Sequence, residues 1–111
     1  MKASNDIIRI RHMLDSAREA LSFIKGKSKN DLSEDRMLLL ALIKELEIIG
    51  EAASKISTQY KDLHQEIPWD TIVRARNRLI HGYFSIDINI VWETVSSSLP
   101  ELVKALKQTL R

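Results

Sequence analysis

The sequence predicts an all-α fold, an antiparallel up-and-down bundle of four to five helices. Apolar residues recur at spacings of 3 and 4 along most of the chain, and no segment shows the two-residue alternation of a strand. Only 3 Gly and 2 Pro interrupt 111 residues that are 44% hydrophobic and 29% charged, the profile of a compact helical protein. The length suits one domain over residues 1–111.

The first helix is predicted from the Ser4-Asn5-Asp6 cluster, whose short polar side chains suit an N-cap, to about Lys25, where Gly26 stops it. Ile7, Ile10, Leu14, Ala17, Leu21 and Ile24 form its seam. Gly26 to Asn30 reads as a loop. The second helix starts around Asp31 or Ser33, with Glu34 and Asp35 at the positive end of its dipole. Leu39, Leu42, Leu46, Ile49, Ala53 and Ile56 line one side, and Leu38, Ala41, Ile48 and Ala52 add apolar surface on a further side. One neighbour cannot cover all of that, so this helix is either central or partnered by another chain. Gly50, Ala52 and Ala53 stand where the close helix approach of a dimer seam would need small residues.

Tyr60 to Ile67 reads as a connector, and Pro68 suits the first positions of a third helix, Trp69 to His81, with Gly82 as terminator. In the last segment, Ile88 to Leu110, the residues Val91, Val95, Leu99, Leu102, Val103, Leu106 and Leu110 share a side, and Pro100 is expected to kink or divide the helix. Trp69 and Trp92 are assigned to the core.

Composition excludes several classes. With no cysteine there is no disulfide framework or thiolate metal site, and His12, His64 and His81 follow no ligand spacing, so neither metal nor cofactor is expected. No apolar run approaches a membrane span and the start lacks a signal-peptide core, which leads us to expect a cytoplasmic protein without membrane association. A net charge of +2 is not that of a general nucleic-acid binder.

The informative stretch is Arg76-Asn77-Arg78-Leu79-Ile80-His81-Gly82-Tyr83. On a helix, Ile72, Val73, Leu79 and Ile80 stand three and four positions from Arg76 and put it in an apolar stripe. A guanidinium there needs an anion, either a carboxylate such as Glu47 or Glu51 or an anionic ligand. His81 follows, and histidine is the one side-chain type whose unperturbed pKa suits proton exchange near neutrality. Together these suit RNA cleavage by the substrate's own 2′-hydroxyl: His81 moves a proton and Arg76 meets the charge growing on the phosphate. Asn77, Arg74 and Arg78 are candidate phosphate contacts, Arg74 and Arg78 equally readable as a charged face. Tyr83 is close enough to sense a bound ligand, or is a half-buried aromatic. Five helical steps place Arg76 and His81 about 140° apart. Either the helix unwinds before His81, or two chains each contribute one residue across a two-fold axis.

The stretch RNRLIHGY carries the Arg-x4-His-x-Tyr pattern and resembles the HepT-like ribonuclease toxins of the all-helical HEPN group. Glu45 to Ser57, Ile67 to Asp87 and Ile90 to Leu102 resemble this family's blocks in order. The resemblance implies a metal-independent endoribonuclease toxin acting on tRNA or mRNA as a homodimer, with Arg76 and His81 as the catalytic pair. It also implies a nucleotidyltransferase antitoxin of the MntA type that silences the toxin by adding AMP to Tyr83. Two other readings stand beside it: a nucleotide- or RNA-binding module that does not cut, and a dimeric helical adaptor whose Arg76 makes an internal ion pair.

Overall fold

Apolar periodicity becomes a buried seam along α3 (Arg36–Ser54), where Leu39, Leu42, Ile43, Leu46, Ile49 and Ala53 are buried. The computed structural model describes residues 2–81 and 86–111, and the side chains of residues 5–79 and 86–111. Around α3 pack α1 (Lys2–Phe23), the short α2 (Lys29–Glu34) and α5 (Trp69–His81). A six-residue α4 (Thr58–Leu63) lies between α3 and α5, and the chain ends in α6 (Ile88–Glu93), a π turn (Thr94–Ser98) and α7 (Leu99–Thr109), which closes on α1. Among the described residues there is no strand, so the all-α expectation holds.

The core joins Ile10, Met13, Leu14 and Ala17 of α1 to the α3 seam, with Val91, Val95, Leu99, Leu102 and Leu106 on the far side. Burial of each large side chain contributes about 2 kcal/mol. α3 packs against α1, α2 and α5, and its second apolar side is only partly covered there: Ala52 is buried, whereas Leu38, Ala41 and Ile48 are half-buried. Trp69 is buried and donates its Nε1–H to the carbonyl of His64 at 3.0 Å, while Trp92 is half-buried against the core.

Three boundaries differ from expectation. Ser4, Asn5 and Asp6 lie inside α1 instead of capping it. Asp6 is buried and caps another helix: its carboxylate accepts the backbone N–H of Ser57 at 2.9 Å and the Ser57 hydroxyl at 2.5 Å, and that hydroxyl oxygen accepts the N–H of Tyr60 to open α4. The expected second helix is two, because Asp35 takes an extended conformation and caps α3 by accepting the N–H of Leu38. The expected connector from Tyr60 contains most of α4. Gly26 behaves as predicted, stopping the first helix at a φ of 74° that side chains with a Cβ rarely adopt.

The last helical run is divided, as expected near Pro100, into α6 and α7 with the π turn between them. Proline has no N–H to offer four residues back, and the ladder before it widens: the N–H of Leu99 donates to the carbonyl of Thr94, five residues earlier. The hydroxyls of Thr94 and Ser96 donate to the carbonyls of Ile90 and Trp92 at 2.7 and 2.6 Å. Pro100 then sits in the first turn of α7, where a missing donor does no harm.

Candidate active site

Pro68 and Asp70 open α5, and the carbonyl of Pro68 accepts the N–H of Ile72 as the first turn forms. The helix runs over Trp69–His81 as expected. Ile72, Val73 and Leu79 are half-buried against the core and hold α5 on α3. This contact brings Arg76 against Gly50 and Glu51.

The Arg76 stem crosses α3 at Gly50. A Cβ built on Gly50 would overlap the Arg76 Cβ and come within 2.6 Å of its Cγ, so only glycine leaves room. At the tip, Nη2 donates to Oε2 of Glu51 at 2.5 Å, and Nη1 donates to Oδ1 of Asn77 at 3.1 Å. The other Glu51 oxygen faces Nζ of Lys55 at 3.2 Å. Lys55, by hydrogen bonding, and then the charge of Arg76 hold the Glu51 carboxyl below its ordinary range, so it is an anion at neutral pH.

The anion that the apolar setting of Arg76 called for is therefore Glu51. The pair is not sealed: the Arg76 side chain keeps 26% of its exposure and that of Glu51 keeps 45%. Arg76 opens onto two depressions. One, of about 540 Å³ between α1 and α3, is lined by Arg9, His12, Lys44 and Lys55 as well as by Glu47 and Glu51. The other, of about 690 Å³, lies between α5 and the α6–α7 run over a floor of Leu46 and Ile49, with Arg78 among its lining.

Asn77, a candidate phosphate contact, is exposed, and its Oδ1 engages Arg76. Arg74 and Arg78 are exposed. α5 is unbroken up to His81, so the backbone does not unwind to bring that position round to Arg76. The side chain of His81, and Gly82 and Tyr83 entirely, lie outside the described residues.

Gly50 was read as a place for close approach between helices, and what approaches it is an arginine stem of the same chain. The tie between Asp6 and Ser57 was not foreseen, nor was the burial of Glu45. Both are charged residues on otherwise apolar faces, the one signal that could have marked them. Among the described residues no group of three or more His, Asp or Glu could hold a metal ion, and no helix is long and apolar enough to cross a membrane.

Residues 13–109 match the family model described as Ribonuclease HepT-like. The chain is 35% identical over 102 residues to "Putative RNase TTE0752" of Caldanaerobacter subterraneus subsp. tengcongensis, covering 92% of this chain and 91% of that protein. It is 39% identical over 93 residues to "Probable ribonuclease HepT" of Thermococcus cleftensis, covering 80% and 84%. "Putative RNase MJ1380" of Methanocaldococcus jannaschii is 35% identical over 95 residues, covering 86% and 87%. No solved structure matches the chain.

Proposed function

Because this chain belongs to the HepT-like ribonuclease family, we propose that it is the toxin of a toxin–antitoxin pair, an endoribonuclease that cuts RNA without a metal ion. The observation that carries this reading is the state of Arg76: it is fixed at one edge by Glu51 and Asn77, yet remains partly exposed beside a groove with Arg9, Lys44 and Lys55. A guanidinium held in this way keeps N–H donors in a planar fork that matches a phosphate.

In the proposed reaction the 2′-oxygen of the substrate attacks the adjacent phosphorus, the bond to the 5′-oxygen breaks, and a 2′,3′-cyclic phosphate and a 5′-hydroxyl remain. His81 takes the proton of the attacking hydroxyl or delivers one to the leaving oxygen. Arg76 meets the charge on the non-bridging oxygens. The 140° between the two positions, over an α5 that stays helical, favours a homodimer in which each site takes arginine from one copy and histidine from the other. The fitting antitoxin is a nucleotidyltransferase of the MntA type that adds AMP to Tyr83. That adduct would place bulk and negative charge where the RNA phosphate has to lie.

The test uses purified protein and labelled tRNA or mRNA in EDTA. Cleavage with a cyclic-phosphate end, reduced to a small residual rate in Arg76→Ala and in His81→Ala, is expected. Intact RNA with saturable binding would instead make the chain a binding module. Co-expression with the candidate nucleotidyltransferase should raise the intact mass by one AMP group, and Tyr83→Phe should abolish the gain. The Arg76–Glu51 pair also favours one rival, a helical adaptor in which the pair is purely structural. Under that reading Arg76→Ala changes stability only modestly, as expected for a partly exposed pair, and leaves nucleic-acid affinity unchanged.

A further inference from the structure

We propose that Gly50 and Glu51 are positioning residues, a seat on α3 that holds Arg76 ready for the substrate phosphate. This rests on the ribonuclease reading and goes beyond it, because neither residue belongs to the Arg-x4-His-x-Tyr motif. Three contacts define the seat: the Arg76 stem lies on Gly50, Nη2 is held by Glu51 and Nη1 by Asn77. Lys55 in turn steadies the second oxygen of Glu51.

Stability alone does not explain this arrangement. Gly50 sits inside a regular helix, where glycine is unfavourable, and its φ is not one that requires glycine. What it supplies is room for the root of the Arg76 side chain, and the Cβ and Cγ atoms there cannot swing aside as a flexible tip could. The ion pair is half-exposed, a setting in which such pairs contribute little to folding. For catalysis the same features have value. A long side chain that would otherwise sample many rotamers is fixed before the substrate arrives, so little reorganisation remains at the transition state. Glu51 also has a cost: its negative charge opposes a phosphate nearby. Its contribution should therefore appear in kcat, with KM unchanged or slightly lowered when the charge is removed.

The experiment measures kcat and KM on a labelled RNA, together with Tm, for Gly50→Ala, Glu51→Ala, Glu51→Gln, Arg76→Ala and the double variant Glu51→Ala/Arg76→Ala. Glu51→Ala should lower kcat about tenfold or more without raising KM, a loss of the size expected when a transition-state contact is left to find its own position. Glu51→Gln keeps an acceptor at the same reach and should recover part of it. In the Arg76→Ala background, Glu51→Ala should cost nothing further. Gly50→Ala should fall with Glu51→Ala, and if it does not fold the Glu51 series decides. A wild-type kcat in Glu51→Ala, or a full additional loss on Arg76→Ala, overturns the seat. Should wild-type protein leave RNA intact, the ribonuclease reading fails instead. The seat is then judged by NMR of 15N-arginine-labelled protein: slowed guanidinium rotation at Arg76 that is released in Glu51→Ala supports it, and no change overturns it.

Discussion

Arg76 and His81 stand on one unbroken helix, Trp69–His81, with a register that separates their positions by about 140° around its axis. A site built within one copy would need a break in that helix, and a site shared between copies would not. Subunit mixing distinguishes the two. Arg76→Ala and His81→Ala should each keep only a small residual rate alone. Mixed dimers isolated through two different tags should regain about half the wild-type rate, since one of their two shared sites keeps both residues. Mixed dimers no faster than either parent would sink the shared site.

Asp6 ties the first helix to the fourth, and its value can be measured apart from function. The carboxylate is 3% exposed and accepts two hydrogen bonds from Ser57, which itself caps α4. Asp6→Ala leaves the Ser57 N–H and hydroxyl without this acceptor, and should cost about 3 kcal/mol in denaturant unfolding. On the same helix, Asp15 is exposed, and Asp15→Ala should stay within about half a kcal/mol of wild type. Equal effects of the two substitutions would show that the Asp6 contact contributes nothing.

Asp6 also shows where the sequence could and could not be read. Its chemistry was legible, since a short acid suits a helix N-terminus, but its target lies 51 residues away and no local pattern points there. Periodicity reported the long helices well because burial enforces it: all six residues read from Leu39 to Ile56 are buried, five of them on α3 and Ile56 just beyond its end. It missed α4, which is six residues long and has no buried residue to leave a pattern. The break at Asp35 depends on the backbone angles of that single residue, which turns extended and caps α3, and the acids before it could as well have opened one continuous helix. Within the site, an arginine in an apolar stripe announced its need for an anion. Choosing Glu51 over Glu47 required knowing how α5 lies across α3, and with that crossing came the role of Gly50.

Glu45 gives a pH dependence whose sign can be worked out in advance. It is 4% exposed on α3, and its carboxyl is pushed up to about 7 by burial first, then by hydrogen bonding to Glu19 and by the Glu19 charge, while a hydrogen bond from Ser16 works the other way. The ordinary value of 4.5 applies once the chain unfolds. Between these two values the folded protein keeps a proton that the unfolded chain has released. The associated stability is therefore fully present below about pH 4.5, declines as pH rises, and is gone above about 7. At roughly 1.4 kcal/mol per pH unit the whole swing is at most about 3 kcal/mol. Glu45→Gln keeps a donor toward Glu19 without a proton to lose, so it should be more stable than wild type at pH 7.5 and no more stable at pH 4. Other carboxyls, Glu51 and Asp31 among them, are lowered and lose stability as pH falls. They are common to both proteins, so the difference between the two unfolding curves isolates Glu45. Curves that run parallel from pH 4 to pH 8 would show that Glu45 titrates alike in the folded and unfolded chain, and that α1 and α3 hold together without a shared proton.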